Sequence, residues 1–258
     1  MLLLLIGCAP PPPDAPDNLE ELCEFLFAHL ADEETDELVA GVENLNDWLL
    51  EGDNLAQASE GYSVYNLTEE SVSSLDETAR VIQDSLVGAS VAYELDYDVS
   101  TIAQTLFVEN WGEVSGSTYE FYERTFEGDP SCLPDRECDW LEYDTHSISS
   151  WVGGMITAES LVHGQIRWVE TSLGWALLQR LWLTGPIDVT PDVGMEVNAQ
   201  YYVHVSHPSS KGTLRTQSMW FDAEYGELIF DEDWGKNKII DSMKGENQVL
   251  KDWLDENN

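Results

Sequence analysis

From Ser90 onward the apolar residues recur at every second position, and that alternation commits most of the chain to β-structure. Val91, Tyr93, Leu95 and Tyr97 alternate with Ala92, Glu94, Asp96 and Asp98, the pattern of a half-buried strand. The clearest case is Val197, Ala199, Tyr201, Val203 and Val205, interleaved with Asn198, Gln200, Tyr202, His204 and Ser206. A partner strand is predicted over 213–222, joined to it by a hairpin turn through HPSSKG at 207–212. The stretch GWALLQRLWLT at 174–184 is apolar on both faces and predicts a central strand. Segments near 117–126, 141–151 and 162–171 bring the total to six to eight strands, and their short connections favour antiparallel order. The stretch 100–108 fits either a strand or a short helix.

Before Ser90 the period is helical. Leu19, Leu22, Cys23, Leu26 and Leu30 share one face of a first helix, with Asp17 as N-cap and Glu20 three residues on. A second helix is predicted over 36–50, with Leu38, Val42, Leu45 and Leu49 on one side. A third, beginning near Thr68, carries Val72, Leu75 and Ala79. A last helix over 236–254 buries Ile239, Met243, Leu250 and Trp253 and is interrupted at Gly245. The predicted fold class is α+β: N-terminal helices and a C-terminal helix packed on a mainly antiparallel β-sheet, as a sandwich or partial barrel. The expected domain plan is 1–7 as a shortened signal peptide, 8–17 as a tether, and 18–258 as one acidic domain. Within that domain 18–80 is helical, 90–230 β-rich and 236–254 the closing helix.

Fifty Asp and Glu face 11 Lys and Arg, a formal net charge of -39. Such a surface repels phosphate backbones, so no nucleic-acid partner is expected. It suits cations, basic proteins or neutral glycans, or a high-salt habitat in which salt screens the self-repulsion. No Lys or Arg precedes Arg80, which leaves the helical N-terminal third the most anionic part.

The chain opens MLLLLIGCAPPPPDAPDN. Leu5-Ile6-Gly7-Cys8 resembles the lipobox of bacterial lipoproteins: an aliphatic residue, a tolerant position, a small residue, then Cys. The resemblance covers about eight residues. It implies cleavage before Cys8, lipidation of the Cys8 thiol, and residence in the cell envelope at the outer membrane or cell surface. The apolar run is too short to span a bilayer. It also lacks a basic n-region, so the start is expected to lie upstream. Residues 9–17 include five prolines, and in polyproline II geometry this stiff spacer reaches about 28 Å.

With Cys8 assigned to lipid, three cysteines are left. Cys132 and Cys138 sit in DPSCLPDRECDW and are predicted to form a disulfide in an oxidising compartment. Cys23, on the apolar stripe of the first helix, reads as an inert buried thiol.

No catalytic signature emerges. There is no GxSxG or SxxK for nucleophilic hydrolysis, and no GxGxxG or Walker A sequence. His204 and His207 form an HxxH on a strand, where a spacing of three puts the rings on opposite faces, so both read as surface histidines rather than zinc ligands. With 50 acids, close carboxylate pairs arise without selection. No catalytic residue, metal site or cofactor is therefore assigned, beyond loose Ca2+ association with the acidic surface. Trp151 and Trp168, among Ser, Gly, Gln and Arg, are candidate surface platforms for a sugar or peptide, although burial statistics weigh toward core packing. Trp175 and Trp182, in the most apolar segment, read as core. The functional expectation is a lipid-anchored envelope protein with a non-enzymatic binding or structural role, its partner a protein or glycan. The alternative is a surface-anchored hydrolase acting on envelope or extracellular polymer.

Overall fold

The computed structural model describes residues 15–80, 82, 85–151, 154–225 and 232–258. Helices α1 (Leu19–His29), α2 (Asp36–Leu50) and α3 (Asn54–Glu60) come first. Strands β1 (Tyr62–Ser63) and β2 (Val87–Leu95) follow, then α4 (Val99–Thr105) and α5 (Trp111–Ser115). Next come β3 (Tyr119–Glu127), β4 (Trp140–Trp151), β5 (Ile156–Thr171), β6 (Gly174–Leu183), β7 (Asp188–Thr190), β8 (Met195–Pro208) and β9 (Thr213–Tyr225), and α6 (Glu232–Asn257) closes the chain.

All strand pairs are antiparallel and belong to one sheet ordered β1-β2-β9-β8-β6-β5-β4-β3, with β7 paired to β5. The predicted α+β class holds, as a single open sheet rather than a two-sheet sandwich. The sheet is covered on both faces. This explains why β2 is buried at Ala89, Ser90, Val91 and Ala92 in succession instead of at alternate residues. The alternation in sequence reports which face a side chain takes, not whether it meets water.

One face, called outer here, carries Val169, Leu178, Trp182, Tyr201, Val203, Val205 and Trp220, and packs against Leu19, Leu22, Leu26 and Phe27 of α1 and Leu38, Val42 and Leu45 of α2. Removing each of these leucines from water contributes roughly 2 kcal/mol. Two buried arginines dock α1 here. Arg180 donates to Phe27 O at 2.9 Å and to Gln165 Oε1 at 2.7 Å, and Arg167 donates to Leu30 O at 3.0 Å and also to the carbonyls of Asp32 and Glu33. The carbonyls at the C-terminal end of a helix lack intrahelical partners and carry partial negative charge, so guanidinium donors satisfy both needs. Cys23 is buried earlier on α1, near Ser90 and Ser218, and burial pushes its thiol up to about 11, as befits an inert thiol.

The other, inner face is covered by α6 through Ile239 and Met243, by α4 through Val99 and Ala103, and by Ile102, Val114, Leu250 and Leu254 between helices. The disulfide Cys132–Cys138 forms, with the two Cα atoms 5.3 Å apart. Its loop buries Leu133 against the inner face. Among the described residues no helix is long and apolar enough to cross a membrane.

Local differences from the sequence reading have local causes. The N-cap of α1 is Asn18, whose side chain accepts from Glu21 N at 3.0 Å, one residue later than predicted from Asp17. The stretch after Thr68 buries Val72, Leu75 and Ala79 as expected, but through turns and a 3-10 turn at Glu77–Ala79 rather than a helix. There Ser71 and Thr68 exchange side chain–backbone hydrogen bonds that compete with the helical ladder. Helix α6 runs through Gly245 without a break. The hairpin β8–β9 turns at 209–212, where Gly212 is required: a Cβ there would meet Leu95 O at 2.3 Å. Residues 1–14, Cys8 among them, lie outside the described residues.

Candidate functional site

The register of the sheet sets polar side chains in a row across the apolar inner face. Gln179 of β6 stands opposite His204 of β8, which stands opposite Gln217 of β9. The next row places Leu177, Ser206 and Arg215 side by side in the same way. Above these rows lie Ile102, Thr105 and Leu106 from α4 and its C-terminal end, Trp111, Val114 and Ser115 of α5, and Glu246 and Leu250 of α6. Together they line a cavity of about 40 Å³. The enclosed part has room for a few water molecules, and the recess is partly open to solvent.

A hydrogen-bonded chain runs along the polar floor. Gln179 Nε2 donates to Tyr143 Oη at 2.6 Å, while its Oε1 lies 3.2 Å from His204 Nδ1. Gln217 Nε2 reaches His204 Nε2 at 3.4 Å and Glu246 Oε2 at 3.5 Å. Asn247 Nδ2 donates to Gln217 Oε1, and Asn247 Oδ1 accepts from Arg215 Nη1 at 3.0 Å. The chain begins on β4 and skips β5, where Gly164 leaves room for the Tyr143 ring: a Cβ at 164 would lie 2.2 Å from Tyr143 Cζ. Behind Tyr143, the Arg124 guanidinium sits over its ring at 4.6 Å and over that of Trp111 at 4.9 Å, and donates to Leu106 O at 2.6 Å. That cation–π box closes one side of the site.

Burial governs the titrations. Desolvation, aided by the Arg215 charge, holds His204 well below the usual histidine range, so the ring is neutral. Glu246 is pushed up to about 7 by desolvation, against the pull of Arg215. Desolvation also lowers Arg215, opposed by Glu246. Glu246 is the one carboxylate among the described residues lining the cavity.

The residues singled out from sequence fare differently. Trp168 is 2% exposed, and its indole N–H donates to Leu133 O at 2.8 Å. It is a core residue, not a surface platform, because the disulfide loop folds over it. The side chain of Trp151 lies outside the described residues, although its backbone ends β4. Trp182 is core as expected, and Trp175 packs on the edge of the inner-face cluster. His204 and His207 do face opposite sides, but neither is a surface side chain: His204 is half-buried and lines the inner cavity, and His207 is buried within the fold, with its pKa lowered by burial to about 4. Sequence reasoning missed Gln179, Arg215, Gln217 and Glu246. The available signal was a polar residue at an inward position of each of three strands, and only the pairing register puts them side by side.

A second, open groove lies on the outer face beyond the helices, lined by Glu123, Thr125, Asp144, His146 and Leu161. Beside it His163 bridges Asp144 at 2.9 Å and Glu142 at 3.2 Å. Among the described residues no group of three or more His, Cys, Asp or Glu side chains is placed to hold a metal ion.

No protein-family model and no curated protein matches this sequence. Among solved structures, the chain is similar to a STAR-related lipid transfer protein from Xanthomonas axonopodis, at 12% identity and a TM-score of 0.45, over 76% of this chain and 98% of that one. It is also similar to a START superfamily protein from Mycobacterium smegmatis, at 8% identity and a TM-score of 0.43, over 67% and 99% of the two chains. Human StAR-related lipid transfer protein 5 is similar at 9% identity and a TM-score of 0.37, over 66% and 76%.

Proposed function

We propose that this chain is a lipid-anchored envelope protein, held at the outer membrane or cell surface, whose folded part binds a small amphipathic molecule without transforming it. The binding role is carried by the make-up of the inner cavity. Ile102, Leu106, Val114, Leu177 and Leu250 form an apolar wall, and a fixed polar row of Gln179, His204 and Gln217 forms the floor. A few placed polar groups in an apolar recess orient a ligand while the wall supplies contact area. The hydrolase reading is weaker here. Both ring nitrogens of His204 are held by glutamine amides, its pKa lies well below 6.5, and Glu246 has no second carboxylate beside it in the cavity lining, so neither a Ser–His pair nor a carboxylate pair is assembled.

The anchor rests on Leu5-Ile6-Gly7-Cys8 and the prolines that follow. Expression from an extended start in a bacterial host fed radioactive palmitate is expected to label the protein. The label should vanish in Cys8→Ser, and a label that survives there refutes the anchor.

For the cavity, titration of the folded domain with 1-hexanol, followed by amide chemical shifts, is expected to perturb residues of α4, α5 and 246–250. Ser206→Phe, which fills the cavity from its floor, should abolish those shifts while circular dichroism stays native. Shifts scattered over the surface, or unchanged in Ser206→Phe, would place any binding elsewhere.

A further inference from the structure

We propose that the ligand of this cavity is an amphipathic anion, a short-chain monocarboxylate whose head is taken by the Arg215 guanidinium; this rests on the cavity being the binding site.

Arg215 projects from β9 into the cavity and is only 9% exposed. A guanidinium carries five N–H donors in a rigid fork. Among the described residues a single hydrogen bond meets them, from Nη1 to Asn247 Oδ1 at 3.0 Å. Glu246 acts on the guanidinium through space, with no hydrogen bond between the two. A buried cation whose remaining donors have no protein acceptor is costly unless something else supplies one. The other buried arginines show the contrast. Arg180 donates to Phe27 O, Gln165 Oε1 and Ser74 Oγ, and Arg167 to three backbone carbonyls, so each is satisfied by the fold itself.

The lining around Arg215 selects the partner. A carboxylate accepts two parallel N–H bonds from a guanidinium fork, the strongest pairing open to it. Leu177, Ile102 and Leu250 line the same cavity and offer an apolar surface to a short tail. A dianionic phosphate head fits less well, since Glu246 on the same lining already contributes negative charge that a second anionic charge would meet. The charged and titratable groups around the guanidinium are Tyr93 from β2, His204 from β8 and Glu246 from α6. Burial holds both Tyr93 and His204 in their neutral forms at neutral pH, and Glu246 is only partly ionised there. None of them fully compensates Arg215.

The test compares hexanoate, 1-hexanol, hexylamine and hexyl phosphate by isothermal titration calorimetry on the folded domain, at physiological ionic strength so that the acidic surface is screened beyond about 8 Å. Hexanoate is expected to bind about tenfold more tightly than 1-hexanol, with hexylamine weakest. Arg215→Gln should erase that preference while still binding 1-hexanol, and Arg215→Lys should retain part of it. The lysine variant keeps the test decisive if the glutamine variant fails to fold. Hexanol binding as tightly as hexanoate, or a preference that survives in Arg215→Gln, overturns the anionic ligand and leaves the binding site standing. Tighter binding of hexyl phosphate than of hexanoate overturns the carboxylate assignment. If none of the four binds, the binding reading itself falls, and this inference with it.

Discussion

Replacing Gly164 by alanine is expected to destabilise the protein by about 3 kcal/mol, although it adds one methyl group to a buried strand. The added Cβ would lie 2.2 Å from Tyr143 Cζ and 2.5 Å from its Oη, far inside van der Waals contact. A flexible surface tyrosine would swing away cheaply. Tyr143 is fully buried, packed between Phe126 and the Arg124 guanidinium, with its hydroxyl bound to Gln179 at 2.6 Å. Overpacking a dense core costs about 1–3 kcal/mol, and leaving the Gln179 amide without its acceptor adds about 1–3 kcal/mol. Tyr143→Phe serves as the control, since it removes the same acceptor but leaves the ring in place, and should cost only that second contribution, about 1–3 kcal/mol, and less than Gly164→Ala. Urea unfolding of the two variants measures both. A Gly164→Ala loss no larger than that of Tyr143→Phe would mean that the ring moves freely, and the polar row would then not be fixed from β4.

The case of Gly164 also shows where sequence reading stops. Strands β2, β4, β5, β6, β8 and β9 were legible because one face of each had to be apolar, a constraint written residue by residue. The central place of β6 followed from its apolar character on both faces, and the structure places it between β5 and β8. The short strands β1 and β7 and the five-residue α5 were not legible, since two or three strand residues, or five helical ones, carry less than two periods of their pattern. The site was hidden for a different reason. Gln179, His204 and Gln217 lie 25 and 13 residues apart in the chain, and each alone reads as a polar residue on a strand. Their alignment depends on strand register, and Glu246 joins them only because α6 crosses the inner face. Trp168 misled in the opposite sense. Its neighbours Arg167 and Gln165 are polar, yet both point to the outer face, Arg167 toward the end of α1 and Gln165 toward Arg180. The local polarity marked helix docking rather than exposure.

Glu246→Gln is expected to gain stability relative to the native chain as the pH rises, by about 2 kcal/mol between pH 4.5 and pH 8. In the fold Glu246 holds its proton up to about pH 7 because burial disfavours its charged form, whereas the unfolded chain releases it near 4.5. Between those values the folded state binds more protons than the unfolded state, so stability falls with rising pH. The contribution is fully present below pH 4.5 and is lost as pH passes through 7. A difference of that size is worth at most about 3.4 kcal/mol, and partial contact of Glu246 with water trims it to about 2. The native curve alone will not display this slope. His207, lowered to about 4 by burial, and His204, held by burial well below the usual histidine range, give the opposite dependence. For them the unfolded chain takes up protons first as the pH drops below 6.5, so their contribution is lost toward acid, in nearly the same window. Neither histidine owes its shift to Glu246, so subtracting the native curve from that of Glu246→Gln cancels both and leaves the carboxyl alone. Urea unfolding at half-unit pH steps supplies the two curves. A difference that stays flat from pH 4.5 to 8 would show that Glu246 is ionised throughout, held by the Arg215 charge, and the guanidinium would then have its compensating anion within the protein.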